Sequence, residues 1–463
     1  MASRHHGRQI FCRAVTFLLE KLRTQHILQA QSPVAAAGHA TQQHPRAYAS
    51  IHTLNSPCPS GPPAFSFDID GVLVRGKVVL PEALEAMQKL TTSDGRWRYP
   101  VVFMTNGGGV CEERKAQELS TRLGVRVTPE QVILSHTPMR DLVAELAQRP
   151  VLVSGRGDVL NVARSYGLQR VLHTRQLGRA MPAATPFSTY PTDSEEVPAA
   201  TRTVAGPAVE LPDPAGAGAG AGGGEGRSAV DRASGSIPLS GFGSERLCPV
   251  RDLGLATEAH PIDTVLVMTD PDDWYRDAQL ICDVLTGAGV PTRSAAGAAA
   301  VGAPHVKLVF SNPDLLWANE FPKNRFGQGA FAHMVLSLFG RLTGGCRPSH
   351  VTFYGKPNPQ PYRLAERLLL TQAWQLGLPL PEVPPGVLPF SGIYAVGDNP
   401  AADVRGANQA GNPWVSVLVR TGVFQGPGTN CDVDTARVAV DDVAAAVDAA
   451  LHHTRSMHWH SMR

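Results

Sequence analysis

Polar and charged side chains follow several short apolar runs that lie far apart in this 463-residue chain. Carboxylates, a hydroxyl, an amide and an ammonium group all stand where an apolar run ends, as expected at the carboxyl end of a buried strand. Parallel sheets bind ligands beyond these strand ends, where loops bring distant parts of the chain together. The pattern therefore predicts a single active site. Its members are Asp68, Asp70, Thr105, Asn106, Lys356, Asp398 and Asp403.

The first acidic pair predicts covalent phosphoryl chemistry. Asp68 and Asp70 lie two residues apart, so a strand would place them on one face, and a turn at Gly71 would bring both into the cleft. We predict that Asp68 is the nucleophile that attacks phosphorus. Asp70 would protonate the leaving oxygen and then activate water against the aspartyl-phosphate. Taken alone, an Asp-x-Asp-Gly segment is more often an ordinary turn, so the prediction depends on the other segments.

The second acidic pair predicts a magnesium site. Asp398 and Asp403 bracket a short loop. Mg²⁺ prefers carboxylate oxygens as ligands, with water completing its octahedral coordination. We expect Mg²⁺ to be bound by Asp68, Asp398 and the backbone carbonyl of Asp70, with Asp403 as a further ligand or as support for the ligands. Alternatively, Asp403 caps the helical pattern of residues 404–410.

The remaining polar groups predict a phosphate-binding pocket. Lys356 would neutralise the phosphoryl oxygens and hold Asp68 close, and Thr105 would donate a hydrogen bond to the same oxygens. Asn106, next to Thr105, is assigned to substrate binding. Each residue alone has a simpler explanation, a surface lysine or a strand-end cap, and only their order along the chain favours the catalytic interpretation.

The composition excludes several other classes of protein. A formal net charge of +2 gives no general basic surface for nucleic acid. The seven cysteines are odd in number and never closely spaced, so they predict neither a disulfide framework nor a zinc site. No run of about 18 apolar residues occurs. We therefore expect neither a nucleic-acid partner nor a membrane span.

The first 60 residues differ from the rest. They are rich in Arg, Ser, Ala and Gln, with Glu20 as the only acidic residue. Residues 10–22 could form a helix with an apolar face and a cationic face. Acid-poor, Arg-bearing segments of this kind are typical of organelle transit peptides. We predict a mitochondrial transit peptide over residues 1–60 and a location in the matrix; a disordered basic tail is the alternative.

From residue 64 onward, short apolar runs alternate with helical patterns, which favours an α/β fold with a mainly parallel sheet. The predicted strands are 64–67, 101–104, 132–134, 151–153, 264–268, 306–310, 351–354, 393–396 and 414–419, and the predicted helices include 81–90 and 274–285.

Residues 176–259 interrupt this pattern. Pro, Gly, Ala, Ser and Thr dominate the segment, which lacks the large apolar side chains needed to offset the entropy of ordering it. We predict a core domain interrupted by an inserted, smaller α/β cap. The predicted divisions are a core at 61–175 and 339–463 with a flexible tail, a low-complexity flexible insert at 176–259 and a cap at 260–338.

Together, the segments resemble the haloacid dehalogenase-like hydrolase superfamily. The four matching motifs, in family order, are Phe67-Asp68-Ile69-Asp70-Gly71-Val72-Leu73, Phe103-Met104-Thr105-Asn106, Gly355-Lys356-Pro357 and Val396-Gly397-Asp398. The resemblance implies a Rossmann-like parallel-sheet core. The cap would lie between the second and third motifs, as in the subgroup that includes pyridoxal, phosphoglycolate and nucleotide phosphatases.

Two further segments follow from the resemblance. Asn312-Pro313-Asp314 resembles a cap loop that faces the active site, which makes Asn312 and Asp314 candidate substrate-binding residues; a plain turn is the alternative. The loop Asn106-Gly107-Gly108-Gly109 departs from the Asn-Asn or Asn-Ser type common in the subgroup, and the change would alter contacts of the phosphate loop. By contrast, Gly155-Arg156-Gly157-Asp158 lacks the third glycine of a dinucleotide loop, and we interpret it as a turn.

These observations predict a Mg²⁺-dependent phosphatase acting on a small phosphorylated metabolite through an aspartyl-phosphate. Asp70 argues against a dehalogenase, because a departing halide needs no proton. A phosphomutase would share Asp70. The alternative is a weakly active or inactive binding or scaffold protein of the same fold in mitochondria, for which the resemblance suggests a link to glycerophospholipid metabolism. The cap could also form a homodimer interface.

Overall fold

The computed structural model describes residues 60–190, 254–293, 305–424 and 429–461. The predicted transit peptide, except residue 60, lies outside the described residues. So do residues 191–253 of the predicted insert.

Strands and helices alternate along most of the described chain. In chain order, the strands are β1 Pro63–Phe67, β2 Val74–Arg75, β3 Val78–Val79, β4 Val101–Met104, β5 Val132–Ile133, β6 Val151–Ser154, β7 Val171–His173, β8 Thr264–Val267, β9 Lys307–Phe310, β10 Leu316–Trp317, β11 Arg325–Phe326, β12 His350–Phe353, β13 Gly392–Gly397, β14 Trp414–Val419 and β15 Val438–Val440. The α-helices are α1 Pro81–Leu90, α2 Glu112–Leu123, α3 Val143–Leu146, α4 Val159–Ser165, α5 Thr174–Ala180, α6 Trp274–Thr286, α7 Gln328–Leu342, α8 Pro359–Gln375, α9 Arg405–Ala410 and α10 Val443–Ser461.

The core is a six-stranded parallel sheet in the order β15-β14-β13-β1-β4-β5. Phe65 and Phe67 pack in one hydrophobic cluster and Ala64 in another, with Leu369 of α8, because successive side chains of a strand point to opposite faces. Burial on both faces explains why these strands are continuous apolar runs. The predicted α/β class with a parallel-sheet core is confirmed.

The pairing register brings the polar segments of the core together. Phe67 of β1 lies opposite Val396 of β13 and Phe103 of β4. The segments that begin at Asp68, Gly397 and Met104 therefore leave the sheet at the same edge. This is the carboxyl edge, where the sequence predicted the site.

A second, five-stranded parallel sheet has the order β12-β9-β8-β6-β7. It includes β6, β7 and β12, which the predicted divisions at residues 175 and 339 had placed in the core. Those divisions are therefore corrected: the chain enters the second sheet at β6 and leaves it after β12. For β6 and β7 the error arises because buried parallel strands have the same apolar pattern in either sheet. β12 is a partly exposed strand at the end of the second sheet.

Two segments predicted to be flexible contain ordered structure. The start of the predicted insert belongs to α5, where Leu177 is buried in a cluster with Leu152, and Leu255 near its end joins the same cluster. The predicted tail is helical, as α10, and Tyr394 OH lies 2.8 Å from His453 Nδ1. A few large apolar contacts order these segments despite their composition. Among the described helices, none combines the length and apolar character needed to cross a bilayer.

Candidate active site

The turn after β1 brings two loops of the core sheet into contact. The N–H of Asp68 donates to Val396 O at 2.9 Å, so Asp68 continues the ladder to β13. Gly71 has a φ of +87°, and a Cβ there would lie 2.3 Å from Asp398 Oδ2. Glycine is therefore required at this position both by conformation and by space.

A buried lysine joins the loops. Lys356, which is 3% exposed, donates from Nζ to Asp68 Oδ1 at 2.7 Å, to Asp403 Oδ1 at 2.6 Å and to Met104 O at 2.9 Å. Burial acts to lower its pKa, but attraction to Asp403 and Asp68 outweighs burial and raises the pKa above its usual range. The side chain is thus held as an ammonium group beside the candidate nucleophile. It reaches the site from the loop after β12 of the second sheet.

Three carboxylates converge beside this lysine. Oxygens of Asp68, Asp398 and Asp403 all lie within 4.8 Å of one another. Burial, and then the charge of Asp403, raises the pKa of Asp398 to about 7, and burial raises the pKa of Asp68 well above its usual range. Three carboxylates and one ammonium leave two negative charges, which a divalent cation would neutralise, and Mg²⁺ prefers hard oxygen ligands. The residues present therefore fit a divalent cation; the carboxylate of Asp70 lies outside this group.

Backbone N–H groups donate hydrogen bonds to the carboxylates of Asp398 and Asp403. Val423 N donates to Asp398 Oδ2 at 2.6 Å, and Asn399 N donates to Asp403 Oδ2 at 3.0 Å. Asn399 is also the residue that caps the helical turn Pro400–Val404, because its Oδ1 accepts from Ala401 N at 3.1 Å. Asp403 is therefore not the helix cap, and the alternative interpretation of this residue was wrong.

Thr105 and Asp70 lie on either side of the first loop glycine. Gly107 N donates to Thr105 Oγ1 at 2.9 Å, and this bond leaves the hydroxyl hydrogen to point elsewhere. A Cβ on Gly107 would lie 3.3 Å from Thr105 Oγ1 and 3.7 Å from Asp70 Oδ2. Burial raises the pKa of Asp70, with Lys115 partly opposing the effect. A carboxyl group whose protonated form is favoured can supply a proton to a leaving group.

The side chain of Asn106 is occupied by contacts within the protein. Its Oδ1 accepts from Lys356 N at 2.8 Å, and its Nδ2 donates to Lys356 O and Asp314 Oδ2, both at 2.9 Å. Asn312 Nδ2 donates to Asn106 O at 2.9 Å, and its Oδ1 accepts from Asp314 N at 3.0 Å. These bonds favour a positioning role for Asn106 and Asn312 over the direct substrate binding that the sequence predicted. The structure does bring Asn312 and Asp314 to the site.

The glycine-rich loop is tightly enclosed by loops of both sheets. A Cβ on Gly108 would lie 2.8 Å from His136 Cδ2, and one on Gly109 would lie 3.0 Å from Arg156 O. Asp158 N donates to Gly109 O at 2.8 Å. The lack of space accounts for the glycines at positions 108 and 109. At Gly107, where the loop departs from the common Asn-Asn or Asn-Ser type, a Cβ would come no nearer than 3.3 Å to a neighbouring atom. The segment that begins at Gly155 was predicted to be only a turn, yet it packs directly on this loop.

Sequence reasoning missed a buried histidine next to the loop. His136 is completely buried, and burial lowers its pKa to about 4. Tyr166 OH donates to Glu112 Oε1 at 2.7 Å and lies 2.7 Å from His136 Nδ1, which therefore carries the imidazole hydrogen. His136 follows β5 by the same strand-end rule as Asp68, but β5 has only two residues and gave a weak signal.

Comparison with known proteins identifies related chains. Residues 65–169 match the family described as haloacid dehalogenase-like hydrolase, and residues 353–449 match one described as HAD-hydrolase-like. A mitochondrial hydrolase of Saccharomyces cerevisiae is 33% identical over 398 residues, which are 84% of this chain and 95% of that protein. A cardiolipin synthase (CMP-forming)/mitochondrial hydrolase fusion protein of Schizosaccharomyces pombe is 31% identical over 84% of this chain; the match spans about half, 53%, of the fusion protein.

Solved structures give more distant matches. A 4-nitrophenylphosphatase from Thermotoga maritima has 15% identity and a TM-score of 0.46, covering 84% of this chain and 97% of that one. A p-nitrophenyl phosphatase from Archaeoglobus fulgidus has 15% identity and a TM-score of 0.46, covering 84% of this chain and 99% of that one.

Proposed function

The chain belongs to the haloacid dehalogenase-like hydrolase family, and from this premise we propose that it is a Mg²⁺-dependent phosphatase acting on a small phosphorylated metabolite. The observation that carries the proposal is the contact of Asp68 with the ammonium group of Lys356, inside a group of three carboxylates. A binding protein would have no need to bury a lysine among three carboxylates. Buried charges that are not fully neutralised by their neighbours oppose folding.

In the proposed first half-reaction, an oxygen of Asp68 forms a bond to phosphorus while the bond from phosphorus to the leaving oxygen breaks. Asp70 gives its proton to that oxygen, which departs as an alcohol. Lys356 places its positive charge beside the phosphoryl oxygens, where negative charge is concentrated, and the hydroxyl of Thr105 donates a hydrogen bond to them. The raised pKa of Asp70 supports its role as the acid.

In the second half-reaction, the Asp70 carboxylate takes a proton from water as the water oxygen bonds to phosphorus. The bond from phosphorus to Asp68 breaks, which releases inorganic phosphate and restores both carboxyl groups to their starting states. Bound Mg²⁺, held by Asp68, Asp398 and the backbone carbonyl of Asp70, would supply positive charge to offset that of the phosphoryl group. Asp403 would support these ligands through its bonds to Lys356 and Asn399.

We also propose a mitochondrial location. Two relatives that match 84% of this chain carry the word mitochondrial in their descriptions, and the basic, acid-poor first 60 residues point the same way. Expression of the full chain with a carboxyl-terminal tag, followed by fractionation and protease protection, tests this. Recovery in the cytosolic fraction would contradict it.

Release of phosphate from p-nitrophenyl phosphate, with and without Mg²⁺, tests the catalytic proposal. The full chain is compared with Asp68→Asn and with the matched control Asp94→Asn, an exposed carboxylate that precedes β4 at the opposite edge of the sheet. We expect Mg²⁺-dependent turnover in the wild type and the control, and a loss of at least about 1000-fold in Asp68→Asn. Equal rates in wild type and Asp68→Asn would refute the nucleophile and leave the binding-protein alternative.

A further inference from the structure

Exposed apolar side chains are concentrated on the hairpin formed by β10 and β11. Among the described residues, twelve large apolar side chains are exposed, and four of them lie between positions 315 and 326. They are Leu315, Leu316, Phe321 and Phe326, and Phe326 is 67% exposed. Single exposed apolar residues are normal on a protein surface, whereas a cluster of them marks a contact surface. We name residues 315–326 the apolar hairpin.

The apolar side chains lie on both faces of this hairpin. Leu316 pairs with Phe326, and directly opposed residues share a face. The N–H of the residue after Phe326 donates to Leu315 O at 2.9 Å, which continues the ladder and directs Leu315 to the other face. Arg325 shares that other face, and its guanidinium carbon lies 4.9 Å from the centre of the Phe321 ring. A narrow hairpin with apolar groups on both faces suits immersion in a fluid apolar medium, since a flat protein partner would cover one face.

Two contacts tie the hairpin to the core. Glu320 Oε1 accepts from Lys77 N at 2.9 Å, and a Cβ on Gly76 would lie 2.5 Å from Glu320 Cγ. Both partners belong to the turn between β2 and β3. At the start of the hairpin, Asp314 accepts from Asn106 Nδ2 at 2.9 Å. The apolar hairpin is therefore anchored at its loop and at its base, and it begins at the border of the candidate active site.

Cations flank the apolar side chains. The apolar hairpin contains Lys323 and Arg325 with Glu320 as its one acidic residue, and the adjoining turn contributes Arg75 and Lys77 without an acidic residue at positions 75–78. All four cations are exposed. Apolar and aromatic side chains bordered by cations are complementary to an anionic lipid surface, where acyl chains take up the apolar groups and phosphates attract the cations.

We propose that the apolar hairpin docks the protein on an anionic phospholipid surface. In the docked state Leu316, Phe321 and Phe326 enter the boundary between headgroups and acyl chains, and the four cations contact lipid phosphates. Docking of this kind does not depend on phosphatase activity, because no residue of the carboxylate group takes part. It brings the candidate active site next to the lipid surface, since the hairpin follows Asp314 directly.

Hydrogen exchange measured by mass spectrometry tests the proposal in the full chain, because it reports on the hairpin separately from the basic residues 1–60. The chain is measured alone, with vesicles of phosphatidylcholine, and with vesicles of phosphatidylcholine and phosphatidylglycerol. We expect slower exchange at residues 315–326 with the anionic vesicles, reversed by high salt because salt screens the cations. No change with either vesicle, or an equal change with both, would overturn the proposal.

A paired substitution isolates the apolar contribution. Phe321→Ser/Phe326→Ser removes two exposed rings of the hairpin, and the matched control Phe187→Ser/Leu342→Ser removes two exposed apolar side chains elsewhere. The vesicle concentration that gives half-maximal protection of the hairpin measures affinity. We expect it to rise at least about tenfold in the hairpin variant and to stay unchanged in the control. Equal values in wild type and hairpin variant would overturn the proposal.

A second pair isolates the charges. Lys323→Gln/Arg325→Gln keeps both rings and removes two cations, and affinity for the anionic vesicles should fall about 10- to 30-fold at low salt. The salt dependence of binding should also become weaker. Unchanged affinity and salt dependence would show that the cations do not face lipid and would overturn the anionic surface as the occupant.

Two further outcomes would reassign the hairpin. Protection that rises with protein concentration in the absence of vesicles would identify a second copy of the chain as the occupant. Unchanged vesicle affinity in Phe321→Ser/Phe326→Ser, together with a lower kcat/KM for p-nitrophenyl phosphate, would assign the rings to the cleft. Either outcome would overturn docking on lipid, and neither depends on whether the phosphatase proposal is correct.

Discussion

Replacing Lys356 by methionine removes the ammonium group from beside the three carboxylates and tests the electrostatic account of the site. The ammonium group donates to Asp68 Oδ1, Asp403 Oδ1 and Met104 O. Methionine is similar in length and flexible, so it fills the same space without a charge. The variant therefore isolates the effect of charge on folding from that of packing.

The magnitude follows from the burial of the group. Removing one partner of a buried ion pair destabilises a protein by about 3–5 kcal/mol when the other partner stays charged. That condition depends on pH, because burial raises the folded pKa of the partner Asp68 well above its usual range, and that of the neighbouring Asp398 to about 7. For a carboxyl with a raised folded pKa, the stabilising contribution is present below the unfolded pKa and is lost as the pH rises through the folded value. For Asp398 this amounts to roughly 4 kcal/mol between about pH 4 and pH 7.

Without Lys356 the folded pKa of Asp68 should rise further, because the lysine lowers it. We expect Lys356→Met to lose little stability near pH 4, where Asp68 and Asp398 are protonated, and about 3–5 kcal/mol near pH 8. Saturating Mg²⁺ should restore part of the loss near pH 8, since a ligand that binds only the folded state stabilises it.

Urea unfolding of the full chain, followed by circular dichroism with EDTA or with Mg²⁺, measures these differences. Lys323→Met serves as the matched control because Lys323 is exposed. A loss of equal size at low and high pH would refute the electrostatic account and indicate packing instead. Failure of Mg²⁺ to stabilise either the wild type or the variant near pH 8 would contradict the cation site.

Two other perturbations test neighbouring features. A Cβ on Gly422 would lie 1.8 Å from Asp398 Oδ2, so we expect Gly422→Ala to displace that carboxylate. Mg²⁺ affinity, measured by calorimetry, and the rate of phosphate release should each fall by at least about 100-fold. Unaltered Mg²⁺ binding would contradict the ligand assignment. Burial holds the folded pKa of His136 at about 4, so its contribution to stability is present above its unfolded pKa and is lost as the pH falls. The wild type should therefore lose about 2 kcal/mol of stability from this group between about pH 8 and pH 5. The variant His136→Gln, which can still donate to Tyr166, should not show this loss. Identical acid sensitivity of the urea midpoints in wild type and variant would refute this.

The strands could be predicted from the sequence more reliably than their partners. The predicted strand 414–419 coincides with β14, and 64–67 with all but the first residue of β1, because burial on both faces leaves a continuous apolar run. The same property hid the sheet to which β6 and β7 belong. An apolar run records that a strand is buried and carries no information about which neighbour it pairs with.

The residues of the carboxylate group were predictable for a similar reason, and the loops of the second sheet that contact the glycine-rich segment were not. Asp68 and Asp398 each follow a strong apolar run and take part in a pattern that only the whole set explains. Arg156 lies in a Gly-rich segment whose local sequence is that of an ordinary turn, and Asp270 is followed by proline and two further aspartates, so it resembles a solvated loop. Their importance depends on the approach of a loop more than 40 residues away in sequence from Arg156, which periodicity cannot predict.

The enclosed glycine loop connects the second sheet to the carboxylate group. Asn106 fixes the backbone of Lys356 through two hydrogen bonds, and Gly109 O accepts from Asp158 N in the loop of Arg156. One short segment thus contacts both Lys356 and a loop of the second sheet. A backbone rearrangement of that loop would be transmitted through Gly109 and Asn106 to Lys356. The conformation of residues 155–158 therefore contributes to holding the ammonium group beside Asp68.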